Sequence, residues 1–255
     1  MVFLTPLVYA AIASFQGSRT LLDLRPTLIF RPVLSNYESL FTEYDFSRVF
    51  VNSVVSSAGS MAFALLVGTP AAYALCRCEW RGRTSLLLAV LTGRALPAFA
   101  VGIGFYVVFL KLGLLDTWWV LIVAYLPYNL ALITWLMYSY FRSVPRELDE
   151  AATVDGCGHV ATFWRVILPV ARPALGSCGI FAFLFGWNNF ILPLVLTAHS
   201  GETLTVAATQ FVGEYEPQWG LVMAAVVIMA APLVGMGVVF RRYMVPGLGA
   251  GAVRG

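Results

Sequence analysis

Charge is what this sequence lacks most. Of its 255 residues only 11% are Asp, Glu, Lys or Arg, and two are histidine. A soluble domain carries roughly a quarter charged residues, because a surface facing water needs charge whatever the size of the core behind it. The deficit excludes a soluble globular protein. With 60% apolar residues and a mean hydropathy of +0.81, the chain reads as a polytopic membrane protein. Lysine is nearly absent. Lys111 stands alone between Leu110 and Leu112, so there is no Gly-Lys-Ser/Thr phosphate-binding loop, and the chain is not itself an ATPase. A net charge of +3 is too small to argue for nucleic acid. The cysteines Cys76, Cys78, Cys157 and Cys178 form neither a disulfide framework nor a zinc site, since Cys76-x-Cys78 is too close and has no histidine near it. They read as free thiols on the reducing side of a membrane. His159 and His199 are isolated surface residues without metal spacing. No span carries a Gly-x-Ser-x-Gly or a His-Glu-x-x-His, which argues against an intramembrane enzyme. A secondary carrier is disfavoured by the lack of an internal repeat.

What is present is a series of apolar runs. They predict an all-α chain of six transmembrane helices and no strands, forming one transmembrane domain over 1–255. The predicted spans are 2–17, 49–75, 85–112, 118–140, 174–196 and 219–240. The first is short: about 16 residues at about 1.5 Å each reach about 24 Å of a hydrocarbon core of about 30 Å. It reads as a span whose front end is missing or very short. Ser18–Ser47 is polar, with room for a short surface helix. The second span is rich in small residues, which let helix backbones approach closely in lipid. The third is interrupted by Gly93-Arg94-Ala95-Leu96-Pro97. Pro70, Pro97, Pro127, Pro193 and Pro232 recur within spans and permit kinks suited to a gated pore, although membrane helices commonly tolerate proline.

Basic residues orient the chain. With both termini inside, segments 76–84, 141–172 and 241–255 hold Arg77, Arg81, Arg83, Arg142, Arg146, Arg165, Arg172, Arg241, Arg242 and Arg254. The outer segments hold only Arg19, Arg25, Arg31, Arg48 and Lys111. The long polar segment 141–172 therefore falls in the cytoplasm. It carries ordered helix signals. Pro145 suits a first helical turn, Glu147, Asp149 and Glu150 suit the positive end of a helix dipole, and Gly156 suits a left-handed cap. His159–Leu168 predicts a second short helix, after which Pro169 and Pro173 redirect the chain. A plain connection needs a few residues and this one has about thirty. It predicts a helix–turn–helix knob that docks onto a cytoplasmic partner.

The pattern Glu150-Ala151-Ala152, Gly156, Val166, Leu168-Pro169 resembles the coupling-loop motif of permease subunits of binding-protein-dependent ABC importers. Asn52-Ser53, the stretch Gly186–Leu194, the loop from Thr205 to Tyr215 and the tail from Arg241 are similar to the sugar-importing branch, and in particular to the smaller permease of the maltose transporter. The resemblance covers nearly the whole chain. It implies a pore-forming subunit paired with a second homologous permease. A cytoplasmic ATPase dimer would dock on the coupling loop, and an extracytoplasmic sugar-binding protein would deliver substrate. It implies a prokaryotic cytoplasmic membrane, with ATP and magnesium on the ATPase and no cofactor in this chain. The coupling residues it implies are Glu147, Glu150, Ala151, Ala152, Asp155, Gly156, Phe163, Leu168 and Pro169. A permease for a non-sugar solute, or an ion-coupled carrier, is the alternative.

Two sets of residues bear on a substrate path. Arg94 lies within a span, where a charge in lipid costs several kcal/mol unless it is paired or meets water. It faces the pore or a partner permease, or its long stem snorkels to the interface. Trp187, Asn188 and Asn189 suit sugars, which bind by amide hydrogen bonds and aromatic stacking, and equally suit polar contacts between helices. The Gly-rich tail 241–255 is either a frayed end or a segment ordered against the ATPases.

Overall fold

Two long helices hold the centre of the molecule, one of 32 residues (Phe46–Arg77) and one of 26 (Trp118–Ser143). The computed structural model describes residues 5–17, 30–212 and 217–249, which form helices and no strand. In chain order the helices are α1 (Thr5–Ala13), α2 (Ser35–Thr42), α3 (Phe46–Arg77), α4 (Arg83–Thr92), α5 (Ala98–Leu112), α6 (Trp118–Ser143) and α7 (Glu147–Val154). Then follow α8 (His159–Val170, with a π turn over Phe163–Ile167), α9 (Arg172–Trp187), α10 (Ile191–Leu196), α11 (Leu204–Gln210) and α12 (Trp219–Gly249).

Small residues decide how the central pair packs. Asn52, Ser56, Ser60, Ala64, Gly68 and Ala72 recur every fourth position of α3, with Ser53, Ser57 and Thr69 beside them, and all are buried. A β-carbon on Gly68 would lie 3.1 Å from Ile133 of α6. Between helices in lipid the hydrophobic effect gives little drive, so close packing and polar contacts must hold the bundle. Asn129 of α6 accordingly donates to Ser60 Oγ across the seam at 3.0 Å. α9 closes against both helices, and there Gly186 is indispensable: its β-carbon would fall 2.9 Å from Ser57 Oγ and 3.0 Å from Ser57 Cα. The knob end of the bundle is filled by Ile133, Met137, Phe141, Phe163 and Ile167. The far end is filled by Leu40, Phe46, Trp187, Leu204 and Phe211.

Among the described residues three helices are each long and apolar enough to cross a membrane: α3, α6 and α12 as far as Val238. Two further pairs qualify only together, α4 with α5 bent by 93° and α8 with α9 bent by 78°. The described residues are therefore all-helical and multi-pass, with three to five spans by length and composition. The predicted single span over 85–112 is two helices. Gly93–Ala95 tighten into a 3-10 turn, and Leu96 and Pro97 are extended at ψ 132° and 127°. Leu96 is extended because a residue before proline is pushed out of helical geometry. The predicted span over 174–196 is also divided, at Asn188–Phe190, and Asn189 Oδ1 takes the Leu192 N–H at 3.1 Å to cap α10. The surface helix expected within 18–47 is α2, while residues 18–29 lie outside the described ones. Of the first predicted span, α1 supplies nine helical residues, and residues 2–4 lie outside. α12 continues beyond the predicted end at 240 to Gly249, and 250–255 lie outside the described residues.

Gly186→Ala should force α9 away from α3 at a cost of about 1–3 kcal/mol, the range for overpacking a tight contact. Thermal unfolding in detergent should show a midpoint lowered by several degrees. Gly104→Ala, where an added β-carbon meets nothing within 4 Å, should leave the midpoint unchanged.

Candidate functional site

The knob is built by its own sequence. α7 opens with Glu147, Asp149 and Glu150 in its first turn, at the positive end of its dipole. Pro145 lies just ahead of the helix rather than in its first turn, because the first turn opens at Glu147. The helix closes in a Schellman motif. Cys157 N–H reaches Ala152 O at 2.9 Å and Gly156 N–H reaches Thr153 O at 3.0 Å, with Gly156 left-handed at φ +82°. The chain then re-enters helix at His159.

The two faces of this knob differ. Ala152 and Phe163 are buried, and Leu148 and Leu168 pack with them against the bundle. Pro169 is half-buried in the last turn of α8. Glu147, Glu150, Ala151, Asp155 and Gly156 are exposed. Two aliphatic side chains stand out on the same knob, Val154 at 88% and Val160 at 73% exposure. Of the sequence-derived set, Glu147, Glu150, Ala151, Asp155 and Gly156 thus lie on the open side, and Ala152, Phe163, Leu168 and Pro169 on or toward the bundle side.

A polar brace fastens the knob from behind. Tyr73 of α3 donates its hydroxyl to Asp149 Oδ1. Arg77 Nε faces Asp149 Oδ2 at 3.0 Å as an ion pair out of line for a hydrogen bond, and Arg77 Nη2 donates to Val144 O at 2.9 Å. Both ionic side chains are largely shielded, at 12% and 20% exposure. A looser pair, Arg146 with Glu79 at 3.9 Å, is open to solvent and holds little. The brace borders a cleft of about 200 Å³ that also touches Glu150, His159 and Thr162. Sequence reasoning counted Arg77 only as a positive charge and Asp149 only as a helix-start acid. The spacing of Tyr73 and Arg77, one turn apart on one helix face, was the available signal.

At the far end, a single carboxylate organises a loop. Asp116, left-handed at φ +59°, accepts the N–H groups of Ala198, His199, Ser200 and Gly201 at 2.8–3.0 Å. Burial works to raise its pKa, but the four N–H donors outweigh it and hold the carboxyl down at about 2. Gly201 permits the approach, since a β-carbon there would sit 2.8 Å from the Asp116 carbonyl carbon. On the other side of the loop, Asn52 Nδ2 donates to Ser200 O at 2.7 Å and Glu202 O at 3.0 Å. Ser53 Oγ takes the Leu204 N–H at 2.8 Å. The Glu202 carboxyl is pushed up by burial, though Gln210, bonded to it at 2.6 Å, opposes the shift.

The four candidate path residues do not meet at one point. Arg94 is exposed on the elbow between α4 and α5, where Tyr128 donates to Leu96 O at 3.1 Å. Trp187 is buried, its indole N–H bonded to Met229 O of α12 at 3.1 Å and its ring stacked on Phe183. Asn189 caps α10, and its carbonyl accepts from Thr205 at 2.7 Å. Asn188 is exposed and borders a cleft of about 290 Å³ between α9 and α12 with Ser177, Phe181 and Met236.

The far-end clasp predicts a pH dependence. The carboxylate is fully ionised above the unfolded value of about 3.9, and its contribution is lost as pH falls through its folded value of about 2. Hydrogen exchange at Ala198–Gly201, corrected for intrinsic rate, should stay protected down to about pH 4 and weaken below it. Asp116→Ala should lower protection there roughly tenfold even at neutral pH.

Residues 64–249 match the family described as binding-protein-dependent transport system inner membrane component. The trehalose/maltose transport system permease protein MalG of Thermococcus litoralis is 33% identical, covering 100% of this chain and 93% of that protein. A probable ABC transporter permease protein, y4oR of Sinorhizobium fredii, is 32% identical over 99% of this chain and 91% of its own length. The trehalose transport system permease protein SugB of Mycobacterium tuberculosis is 31% identical over 99% and 93%. Among solved structures, a chain of a bacterial ABC transporter that imports the acidic polysaccharide alginate superposes with a TM-score of 0.79 at 22% identity, covering 95% of this chain and 91% of that one.

Proposed function

The chain belongs to the family of binding-protein-dependent transport system inner membrane components, and from that premise we propose that it works as the pore-forming subunit of an ATP-driven carbohydrate importer. It is a transport permease of a multi-pass membrane kind, not an enzyme. The relatives named for trehalose, maltose and diacetylchitobiose transport support the sugar class.

The observation that carries the mechanism is the knob. Its motif residues from Glu150 to Pro169 fold as two helices around a left-handed glycine, with one face fixed to the bundle and the other bare. In this reading Glu147, Glu150, Ala151, Asp155 and Gly156 meet a separate cytoplasmic ATPase dimer, which holds the ATP and magnesium. Ala152, Phe163, Leu168 and Pro169 carry its movement into the bundle. The knob end is cytoplasmic, as are both termini, and the far-end loop around Asp116 faces outward. In this reading six spans are assigned to α1, α3, the bent α4–α5, α6, the divided α9–α10 and α12. A second homologous permease completes the pore. An extracytoplasmic sugar-binding protein supplies substrate, consistent with the periplasmic protein bound in a related alginate transporter structure. Arg94 and Asn188, both exposed, face the water path or the second permease. Trp187 and Asn189 hold α9, α10 and α12 together.

Gly156→Val places a β-branched residue at φ +82°, where a side chain is strained by about 1–2 kcal/mol or more. Gentle detergent extraction of the wild-type importer should bring down the ATPase. The variant should accumulate in the membrane yet retain much less ATPase, and uptake of radiolabelled sugar should fall about tenfold or more. If no ATPase accompanies the wild type and uptake follows an ion gradient without ATP, the importer reading is wrong.

A further inference from the structure

α3 reaches both polar ends of the molecule with its own side chains. Its 32 residues extend about 48 Å at 1.5 Å per residue, well beyond a hydrocarbon core of about 30 Å. At the far end Asn52 and Ser53 hold residues 200–204 by three hydrogen bonds. At the knob end Tyr73 and Arg77 hold Asp149. The helix stays unbroken between them although it contains Pro70. α6 serves the same two ends. Asp116, just ahead of it, grips the far-end loop from the other side, and Val144, just after it, accepts Arg77. The small-residue seam clamps the two helices together.

Two of the other routes through the bundle are interrupted. α4 and α5 meet at a 93° elbow, and α9 is parted from α10 at Asn188–Phe190. The knob itself follows α6 through the three non-helical residues Val144, Pro145 and Arg146. Without a brace, a push on α7 would be absorbed by rotation at those residues. Apolar contacts such as Tyr73 against Phe163, with ring centroids 5.1 Å apart, slide more easily than a shielded ion pair separates.

We infer that Arg77 and Tyr73 are positioning residues that lock α7 to the end of α3 through Asp149, so that displacement of the knob is delivered by the α3–α6 pair to the far-end loop 198–204. This rests on the reading of α7–α8 as the coupling loop. Neither residue needs to touch substrate or ATPase. Asp149 is turned back toward α3 and is largely shielded, while Glu147, Ala151, Asp155 and Gly156 of the docking face are exposed. Loss of the lock leaves the ATPase bound and disconnects its movement from the outer mouth.

The test uses the complete importer, with both permeases, the ATPase dimer and the binding protein, in lipid nanodiscs. The variants are Asp149→Asn, Arg77→Gln, Tyr73→Phe and the exchanged pair Arg77→Asp with Asp149→Arg. Three quantities are read: ATPase retained on purification, sugar taken up per ATP hydrolysed, and the ATP-dependent change in hydrogen exchange at 198–204. Asp149→Asn and Arg77→Gln should retain the ATPase, lose about tenfold in uptake per ATP, and abolish the exchange response. Tyr73→Phe should lose about two- to fivefold, and the exchanged pair should regain a substantial part of the loss. Uptake per ATP and an exchange response at wild-type level in Asp149→Asn and Arg77→Gln would overturn the lock. So would an assembled exchanged pair that recovers nothing. Should the charge variants fail to assemble, Tyr73→Phe decides, and wild-type behaviour in it overturns the inference. Loss of the ATPase from the unaltered importer would instead remove the coupling reading on which the lock rests.

Discussion

The close approach of α3 to α6 is the constraint on which the rest of the molecule depends. Lipid tails are as apolar as leucine, so two helices in a membrane gain little by hiding apolar side chains from their surroundings. They gain by approaching near enough for dispersion contacts and for polar groups to find one another. The four-residue rhythm of Asn52, Ser56, Ser60, Ala64, Gly68 and Ala72 permits that approach along most of α3. The amide of Asn129 then reaches Ser60. The same approach sets the height of each end. Tyr73 and Arg77 arrive beside α7, and Asn52 and Ser53 beside the loop at 200–204, because α3 lies where the seam puts it.

The two polar ends are held in different ways, and the difference follows from charge. At the far end a carboxylate gathers four N–H groups from consecutive residues 82–85 positions further along the chain, tying the turn ahead of α6 to the loop after α10. At the knob end an ion pair and a phenol join segments 76 residues apart in sequence. A carboxylate satisfied by backbone amides pins the loop that supplies them. A carboxylate shared between two helices fastens them to each other. The sugar-importer reading needs both: a firm outer rim and a fastened inner lever.

Much of the architecture was legible in the sequence because membrane helices obey strong local rules. Lipid cannot solvate free backbone groups, so long apolar runs must be helices. The knob was legible for a similar reason. Its glycine, its early acids and its alanines are local signals, and α7 and α8 fall close to the positions they predict. The breaks were only half visible. Gly93–Pro97 stood out as an interruption, but a proline in a membrane helix gives a mild kink as readily as an elbow, and the bond from Tyr128 to Leu96 O that is made at the elbow comes from a distant part of the chain. The polar clasps were not visible. Asn52 with Glu202 and Tyr73 with Asp149 lie far apart along the chain, and no local rule joins them.

Unbroken and broken helices divide the work of such a permease. Backbone interrupted at membrane depth is tolerated only where protein covers it or water reaches it. In the proposed importer, the α4–α5 elbow, with exposed Arg94 on it, and the α9–α10 break, with exposed Asn188, lie on the side of the chain that meets the second permease and the water path. α3 and α6, continuous and largely buried, belong to the body of this chain. A pore that opens alternately to its two sides needs elements that bend and an element that does not. In the proposed importer, bending at Gly93–Pro97 and Asn188–Phe190 lets the path change shape, while the paired helices fastened at Asp116, Asn52 and Asp149 fix what that change is measured against. If the hinges were rigid the path could not alternate, and if the strut were jointed the ATPase would move only its own docking site.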